Sequence, residues 1–335
     1  MPGPITHLLF YMQLKRRLSS QILNTMPGYD QHSIFAQGHD LFIYHNFYRI
    51  SSSRQLAKNV QNSNQLQNYS FPEFIYSYLK HAQQMGVLEH EQILLFLSPG
   101  YIAHHILDAY THPFIIYQAG DHVRDRNNST WMHGIIENYI DIFMMEQGEL
   151  TDLQKAQIFK LFSFSQKDID PVLPIILDAS LKETHGLKTG GAEMCRALSQ
   201  VSLFMRMFKH DPTGFKRIVF DFADPFLKGT SSFSFHRSSA DARQFLNEEH
   251  EQWCNPMNDT LCSKESFMEL YHKALSASTD IIEMLMTLCK TGEITEKNVF
   301  DVVPNIASTH GLSCGKDLEI KYSKQLCQDK EKKNG

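Results

Sequence analysis

The sequence lacks the cysteine and apolar patterns that would place a protein outside the cytosol. Its six cysteines lie far apart, and no two of them are separated by only two residues. We therefore expect reduced thiols, and neither a disulfide framework nor a zinc site built from cysteine. No charge-free apolar run reaches the roughly 18 residues that a membrane-spanning helix needs. These absences predict a cytoplasmic protein with at most peripheral contact with a membrane.

An excess of positive charge is also missing. The 32 lysine and arginine residues are outnumbered by 37 aspartate and glutamate residues, which gives a formal net charge of −5. This balance argues against nucleic acid as a stable partner. Near residue 1 a basic cluster follows a short apolar run, whereas a secretory signal peptide has the opposite order. Charge therefore also favours a cytoplasmic location.

Alternation of apolar and polar residues is rare, and helical periodicity recurs along the chain. We predict an all-α protein with a single α-helical domain over residues 1–317. Its metal-site half is expected at about 1–147 and its additional helices at about 150–317, followed by a disordered tail at 318–335. Helices are expected at about 5–24, 33–46, 72–85, 89–117, 130–147, 152–162, 170–182, 191–208, 239–253, 264–289 and 294–300, with polar excursions at 50–70 and 222–238.

Histidine is abundant, with 17 residues, about twice the usual share. In the apolar stretch "GYIAHHILDAYTHPFIIY", His104, Asp108 and His112 recur at every fourth position. Residues four apart lie on one face of an α-helix, so these three form a stripe. His133 and Glu137 begin a second stripe of the same spacing on the next helix. Because a short loop joins the two helices, we expect them to pack antiparallel with their stripes facing each other.

Imidazole nitrogens and carboxylate oxygens are the ligands expected for zinc in a hydrolytic site. Between facing helices such side chains can hold several metal ions. The alternative is a metal-free core in which histidines are bonded to carboxylates. His105 lies about 100° from the stripe, so we expect it to pack between helices. Asp141 continues the second stripe and is expected to orient a ligand imidazole.

Two N-terminal segments complete a set of four motifs: "PITHLLF", which contains His7, and "AQGHDLFIY", which contains Asp40. Together with the two stripes they span residues 4 to about 145, and they resemble the motifs of the zinc-dependent phospholipase C family in the same order. The resemblance implies the all-α, multi-helix fold that this family shares with single-strand-specific zinc nucleases. It also implies zinc ions held between helices.

The resemblance gives a role to each matching residue. Asp108 would bridge two zinc ions, and His7 would bind one of the three ions that the family holds. His112 would bind another ion together with its two partners on the next helix. Asp40 would contact the metal-bound water and is the favoured general base. The implied metal-contacting residues are His7, Asp40, His104, Asp108, His112, His133 and Glu137.

Two departures from the family pattern bear on the number of ions. The family usually supplies a further histidine between the Asp40 motif and the next helix, where this sequence has Gln61 or Asn62. An amide oxygen is a poorer zinc ligand than an imidazole nitrogen. The sequence also begins Met-Pro-Gly-Pro, without the tryptophan that secreted members use as a ligand. The resemblance therefore implies two or three zinc ions.

The leading hypothesis is a zinc-dependent hydrolase of phosphoric ester bonds, similar to phospholipase C, that cleaves a phospholipid or another phosphodiester. A metal-bound hydroxide would attack the phosphorus while Asp40 orients or deprotonates the water. Two alternatives stay open. One is a phosphodiesterase or nuclease acting on a soluble substrate, and the other is a catalytically degenerate metal-binding or interaction protein of the same fold. A di-iron carboxylate bundle fits poorly, because neither stripe has the Glu-x-x-His spacing.

Overall fold

The fold is built almost entirely from helices. The computed structural model describes residues 3–47, 53–120, 126–147, 158–209, 214–223, 243–315 and 318–324. Within these ranges there is one sheet, of two strands, and the predicted helical class is confirmed. The expectations for 152–157, 224–242 and 325–335 concern residues outside the described ranges.

The described elements are named in chain order. The α-helices are α1 (Pro4–Lys15), α2 (Ser20–Leu23), α3 (Leu41–Tyr44), α4 (Ser53–Asn68), α5 (Phe71–Gln84), α6 (Glu91–Leu95), α7 (Ala103–Ala119), α8 (Arg126–Gln147), α9 (Leu173–His185), α10 (Gly190–Phe204), α11 (Phe215–Ala223), α12 (Phe267–Thr291) and α13 (Glu296–Val302). Segments of 3₁₀-helix cover Tyr29–Asp40, Ile158–Phe162 and Gln166–Asp168, and π-helical turns cover Phe96–Ile102 and Met205–Lys209. The strands are β1 (Trp253–Asn255) and β2 (Asn258–Ser263). None of the described helices has both the length and the apolar content that crossing a membrane would require.

Helix α7 is the central element. It continues directly from α6 through the π-helical turn Phe96–Ile102, so the long helix predicted at 89–117 is confirmed. Helices α8 and α12 and the 3₁₀ segment Tyr29–Asp40 all pack against it. Apolar side chains of these elements belong to one hydrophobic cluster. The histidines and the aspartate of α7 are therefore buried.

Helix α12, which packs along α7, has its ends fixed by local sequence. The Ser266 backbone N–H donates to the Glu269 carboxylate, and the Glu269 N–H donates to the Ser266 hydroxyl, which together make a capping box. Gly292 ends the helix with a φ of 73°, a left-handed conformation that glycine adopts readily. The helix predicted at 264–289 is confirmed.

The polar stretch 50–70 is not a loop where it is described. Residues 53–68 form α4, and Asn59, Asn62 and Ser63 are buried. The Asn59 side-chain amide donates to the backbone carbonyl of His45 at 2.6 Å. Buried amides are tolerated when they are hydrogen-bonded. The expectation of a flexible excursion was wrong because polar composition was taken as a sign of solvent exposure.

The helix predicted at 239–253 is also wrong over its described part. Residues 243–250 form turns, and β1 and β2 then pair as an antiparallel hairpin in which Cys254 lies opposite Cys262. These two cysteines form a disulfide, so the expectation of reduced thiols fails for this pair. The hairpin brings together two cysteines that are eight residues apart in the sequence. Because disulfides persist in oxidising compartments, the cysteines no longer support a cytoplasmic location.

Candidate metal centre

Helices α1, α7 and α8 and the 3₁₀ segment Tyr29–Asp40 bring the predicted ligands together. The start of α1 is held by Asp141 of α8, which accepts hydrogen bonds from the Thr6 backbone N–H and hydroxyl at 2.8 and 2.7 Å. Negative charge at a helix N-terminus is stabilising. The next residue is His7, so Asp141 helps to position this imidazole through the start of its helix, a route that the sequence did not indicate.

Asp108 lies at the centre of a buried group that we call the inner cluster. Asp108 Oδ1 is 3.2 Å from His7 Nε2. Asp108 Oδ2 is 3.4 Å from His104 Nε2 and 3.8 Å from His39 Nε2. Among the described residues, neither oxygen of Asp108 has a hydrogen-bond partner. The inner cluster consists of His7, His39, Asp40, His104 and Asp108.

This arrangement is unfavourable without a cation. Burying a carboxylate without hydrogen bonds costs several kcal/mol. Burial raises the pKa of the Asp108 carboxyl and lowers the pKa values of the His39 and His104 imidazoles, so it favours the neutral form of each group. A metal ion stabilises an ionised carboxylate and binds neutral imidazoles. The inner cluster could therefore hold a metal ion.

The backbone fixes the orientation of His104. Its Nδ1 lies 2.8 Å from the carbonyl oxygen of Ala36, so Nδ1 carries the hydrogen and donates it. The lone pair of Nε2 then points toward the carboxylates, as metal-binding histidines require. Gly38 allows this close approach: its φ is 46°, and a Cβ there would lie 2.6 Å from His104 Cγ.

His39 belongs to the inner cluster, although it was not among the predicted ligands. Its Nδ1 is 3.5 Å from Asp40 Oδ1, and Asp40 Oδ2 is 4.0 Å from His104 Nε2. Nε2 of His39 is 3.3 Å from the Ser308 hydroxyl oxygen. The sequence feature that could have indicated His39 as a ligand was its position between Gly38 and Asp40. His39 thus adds to the inner cluster an imidazole to which the resemblance gave no role.

A second group, the outer cluster, lies where the two stripes meet. It consists of His112, His133 and Glu137. The Nε2 atoms of His112 and His133 are 3.2 Å apart, and His133 Nε2 is 2.7 Å from Glu137 Oε1. His133 and Glu137 are partly exposed, in contrast to the inner cluster. The predicted facing of the two helices is therefore observed, although the two stripes contribute to two separate groups.

Both clusters offer only nitrogen and oxygen donors, a set that suits zinc and other divalent transition metals. No family model, curated protein or solved structure matches this chain. Its capacity to hold metal is therefore read from the side chains themselves. Among the described residues, candidate ligand atoms within 4.8 Å of one another occur in three groups: His7, His104 and Asp108; His39, Asp40 and His104; and His112, His133 and Glu137.

His105, Gln61 and Asn62 do not belong to either cluster. His105 stacks on Phe71 with ring centroids 3.6 Å apart, and its Nε2 donates to the carbonyl of Ile306 at 2.8 Å. Burial lowers the pKa of His105 to about 3, so it is a neutral packing residue, as its place off the stripe predicted. Gln61 is exposed on α4, whereas Asn62 is buried. Of the two residues predicted at the place of the family's further histidine, Gln61 faces solvent, and the placement of Asn62 stays a prediction.

Proposed function

We propose that this protein is a zinc-dependent phosphoesterase similar to phospholipase C, with the multi-helix fold of that family and its related nucleases. The observation that carries the proposal is the state of Asp108. Its fully buried carboxylate faces imidazoles of His7, His39 and His104 within 3.8 Å, and its oxygens have no hydrogen-bond partner among the described residues. Ordinary core carboxylates are hydrogen-bonded. Divalent cations account for this geometry, and the donor set favours zinc.

The two oxygens of Asp108 face different histidines, which suits a carboxylate shared by two ions. Oδ1 faces His7, and Oδ2 faces His104 and His39. One ion would lie on the His7 side of Asp108, a second beside His39, Asp40 and His104, and a third at the outer cluster. Full occupancy would give three zinc ions, the upper end of the expected two or three. Bound zinc would supply an activated water and neutralise the charge of a phosphodiester.

Asp40 is the residue that we expect to handle the proton. It ends the 3₁₀ segment and is more exposed than Asp108. Its Oδ1 has no hydrogen-bond partner among the described residues, and this oxygen can accept a hydrogen bond from a water. Asp40 would then orient the water or take its proton, while the surrounding imidazoles hold the ions in place. His39 and His104 limit the positions that the Asp40 carboxylate can adopt.

Metal analysis and hydrolysis assays on the purified full chain test the proposal. We expect at least two zinc ions per chain, hydrolysis of phosphatidylcholine, loss of hydrolysis after chelation and recovery when zinc is added back. A control variant, His272→Asn, changes an exposed histidine of α12 and should leave both readouts unchanged. Fewer than two zinc ions without turnover would instead support the degenerate metal-binding protein.

The choice of substrate is tested in a parallel assay. Bis(p-nitrophenyl) phosphate is a soluble phosphodiester that needs no lipid surface. Hydrolysis of this compound together with phosphatidylcholine supports a phospholipase C-like enzyme. Hydrolysis of the soluble diester alone would favour the alternative of a phosphodiesterase or nuclease with a soluble substrate.

A further inference from the structure

Helix α11 presents its apolar stripe to solvent. Phe215, Ile218, Val219 and Phe222 are 68%, 68%, 46% and 80% exposed. Their spacing places them on one face of the helix. In a globular protein such a stripe normally faces the core. An outward-facing stripe of four large apolar residues indicates a surface that binds a protein or a membrane.

The surface continues onto the end of α10 and the following π-helical turn. Leu203 and Met207 are also exposed large apolar residues, one helical turn apart. The Lys216 ammonium donates to the backbone carbonyl of Arg206 at 2.7 Å, which holds α11 beside this turn. We call these six residues the α11 patch: Leu203, Met207, Phe215, Ile218, Val219 and Phe222.

Basic residues accompany the α11 patch. Residues 203–223 contain four cationic side chains and two acidic ones, although the whole chain has a net charge of −5. Lys216 and Arg217 follow Phe215 directly and are partly buried, with Arg217 Nε 3.4 Å from Asp221 Oδ2. Long basic side chains can bury their stems while their charged ends reach a polar layer. Apolar and basic groups together match the surface of an anionic bilayer.

Phe204 connects the α11 patch to a segment that follows Asp40 in the chain. It is the last residue of α10, and its ring packs 5.1 Å from the Tyr44 ring and 5.4 Å from the Phe47 ring. Tyr44 belongs to α3, which begins directly after Asp40. The helix end that carries Leu203 therefore packs against the element next to Asp40 in the chain.

We propose that the α11 patch is a membrane-docking surface that inserts shallowly into a phospholipid bilayer. The inference deepens the proposed function, on which its choice of a lipid partner partly rests, because docking would bring the chain to a surface of phospholipid substrate. A second copy of the chain fits less well. A two-fold contact through the same patch would bring the basic residues of both copies together.

Vesicle sedimentation of the full chain tests the proposal. The probe is a vesicle of equal parts phosphatidylcholine and phosphatidylglycerol. We expect the wild-type chain to sediment with the vesicles and the double variant Ile218→Asp/Phe222→Asp to bind at least about tenfold more weakly, because charges replace inserted side chains. The matched control is Ile175→Asp on α9, since Ile175 is 54% exposed and lies outside the patch. It should bind like the wild type.

Three outcomes would overturn the proposal. The first is a wild-type chain that stays in the supernatant, and the second is equal weakening by Ile175→Asp. The third is a double variant that binds as well as the wild type. If the wild type does not bind vesicles, size-exclusion chromatography and thermal unfolding identify the occupant. A dimer that the double variant dissociates indicates a second copy, whereas a lower melting temperature of the monomeric double variant indicates residues 224–242.

The failure of docking can be told apart from failure of the proposed function. Vesicle binding without zinc and without hydrolysis of any diester would refute the phosphoesterase and leave docking in place. Zinc-dependent hydrolysis of the soluble diester without vesicle binding would refute docking and leave the phosphoesterase in place. The double variant should retain its zinc content and its rate on the soluble diester, because its two substitutions lie on an exposed helix face.

Discussion

The inner and outer clusters use the same two kinds of side chain in different surroundings. In the inner cluster Asp108 is fully buried, and its oxygens lack hydrogen-bond partners among the described residues. In the outer cluster Glu137 is partly exposed and lies 2.7 Å from the imidazole of His133. The first carboxylate would gain most from a bound cation, whereas the second already has a partner and access to water.

This contrast predicts different metal affinities. Desolvated ligands that are held by packing lose little freedom when a metal binds, and water competes poorly for the ion. Partly exposed ligands exchange with water more readily. We therefore expect the inner ions to bind more tightly and the outer ion to leave first during chelation.

The largest effect is expected from Asp108→Asn, which removes the carboxylate shared within the inner cluster. The inner zinc should be lost, and hydrolysis of a soluble phosphodiester should fall by about 10³-fold, because several kcal/mol of transition-state stabilisation disappear. Zinc analysis and rate measurements on the same sample check this. Asp280→Asn, at an exposed position on α12, is the matched control. If Asp108→Asn keeps its full zinc content, the distinction between the clusters is wrong.

A smaller effect is expected from Glu137→Gln in the outer cluster. One equivalent of zinc should be lost while the inner ions remain, and the rate should fall by about 10- to 100-fold. Zinc counted per chain after dialysis distinguishes this variant from Asp108→Asn. Glu146→Gln changes an exposed carboxylate of the same helix and should change neither number. Loss of all zinc from Glu137→Gln would mean that the clusters form one cooperative site.

The same contrast shows what could be predicted from the sequence. Both stripes were found because ligands four residues apart are a local helical pattern. His39 was not predicted as a ligand, because its position depends on a 3₁₀ segment and on the positive φ of Gly38. Together these bring the His39 ring beside Asp108. Periodicity carries no information about such a segment. The contact of Asp141 with α1 was missed for a similar reason, because it joins residues 135 apart.

Errors outside the site have related causes. Helix α4 was taken for a loop because its buried side chains are amides and hydroxyls with partners elsewhere in the chain. The disulfide of Cys254 and Cys262 depends on hairpin pairing, which cysteine spacing alone does not reveal. The outward orientation of the apolar stripe of α11 was not predicted, because such a stripe in a sequence does not show whether it faces core or solvent.

The smallest effect is expected from Gly38→Ala, which disturbs the inner cluster without replacing a ligand. The new Cβ would lie 2.6 Å from His104 Cγ at a φ of 46°, so the imidazole must shift. With a φ of 46° and a ψ of −130°, the Gly38 backbone is strained for alanine by about 1–3 kcal/mol, and overpacking adds about 1–3 kcal/mol. Gly86→Ala is the control for a positive φ without the contact, because its φ is 69° and no atom lies within 4 Å of the added Cβ. In chemical denaturation Gly38→Ala should lose more stability than Gly86→Ala. Zinc titration should show weaker inner binding for Gly38→Ala alone, with outer binding unchanged. Equal effects of the two variants on both measurements would show that the contact with His104 does not hold the inner cluster in place.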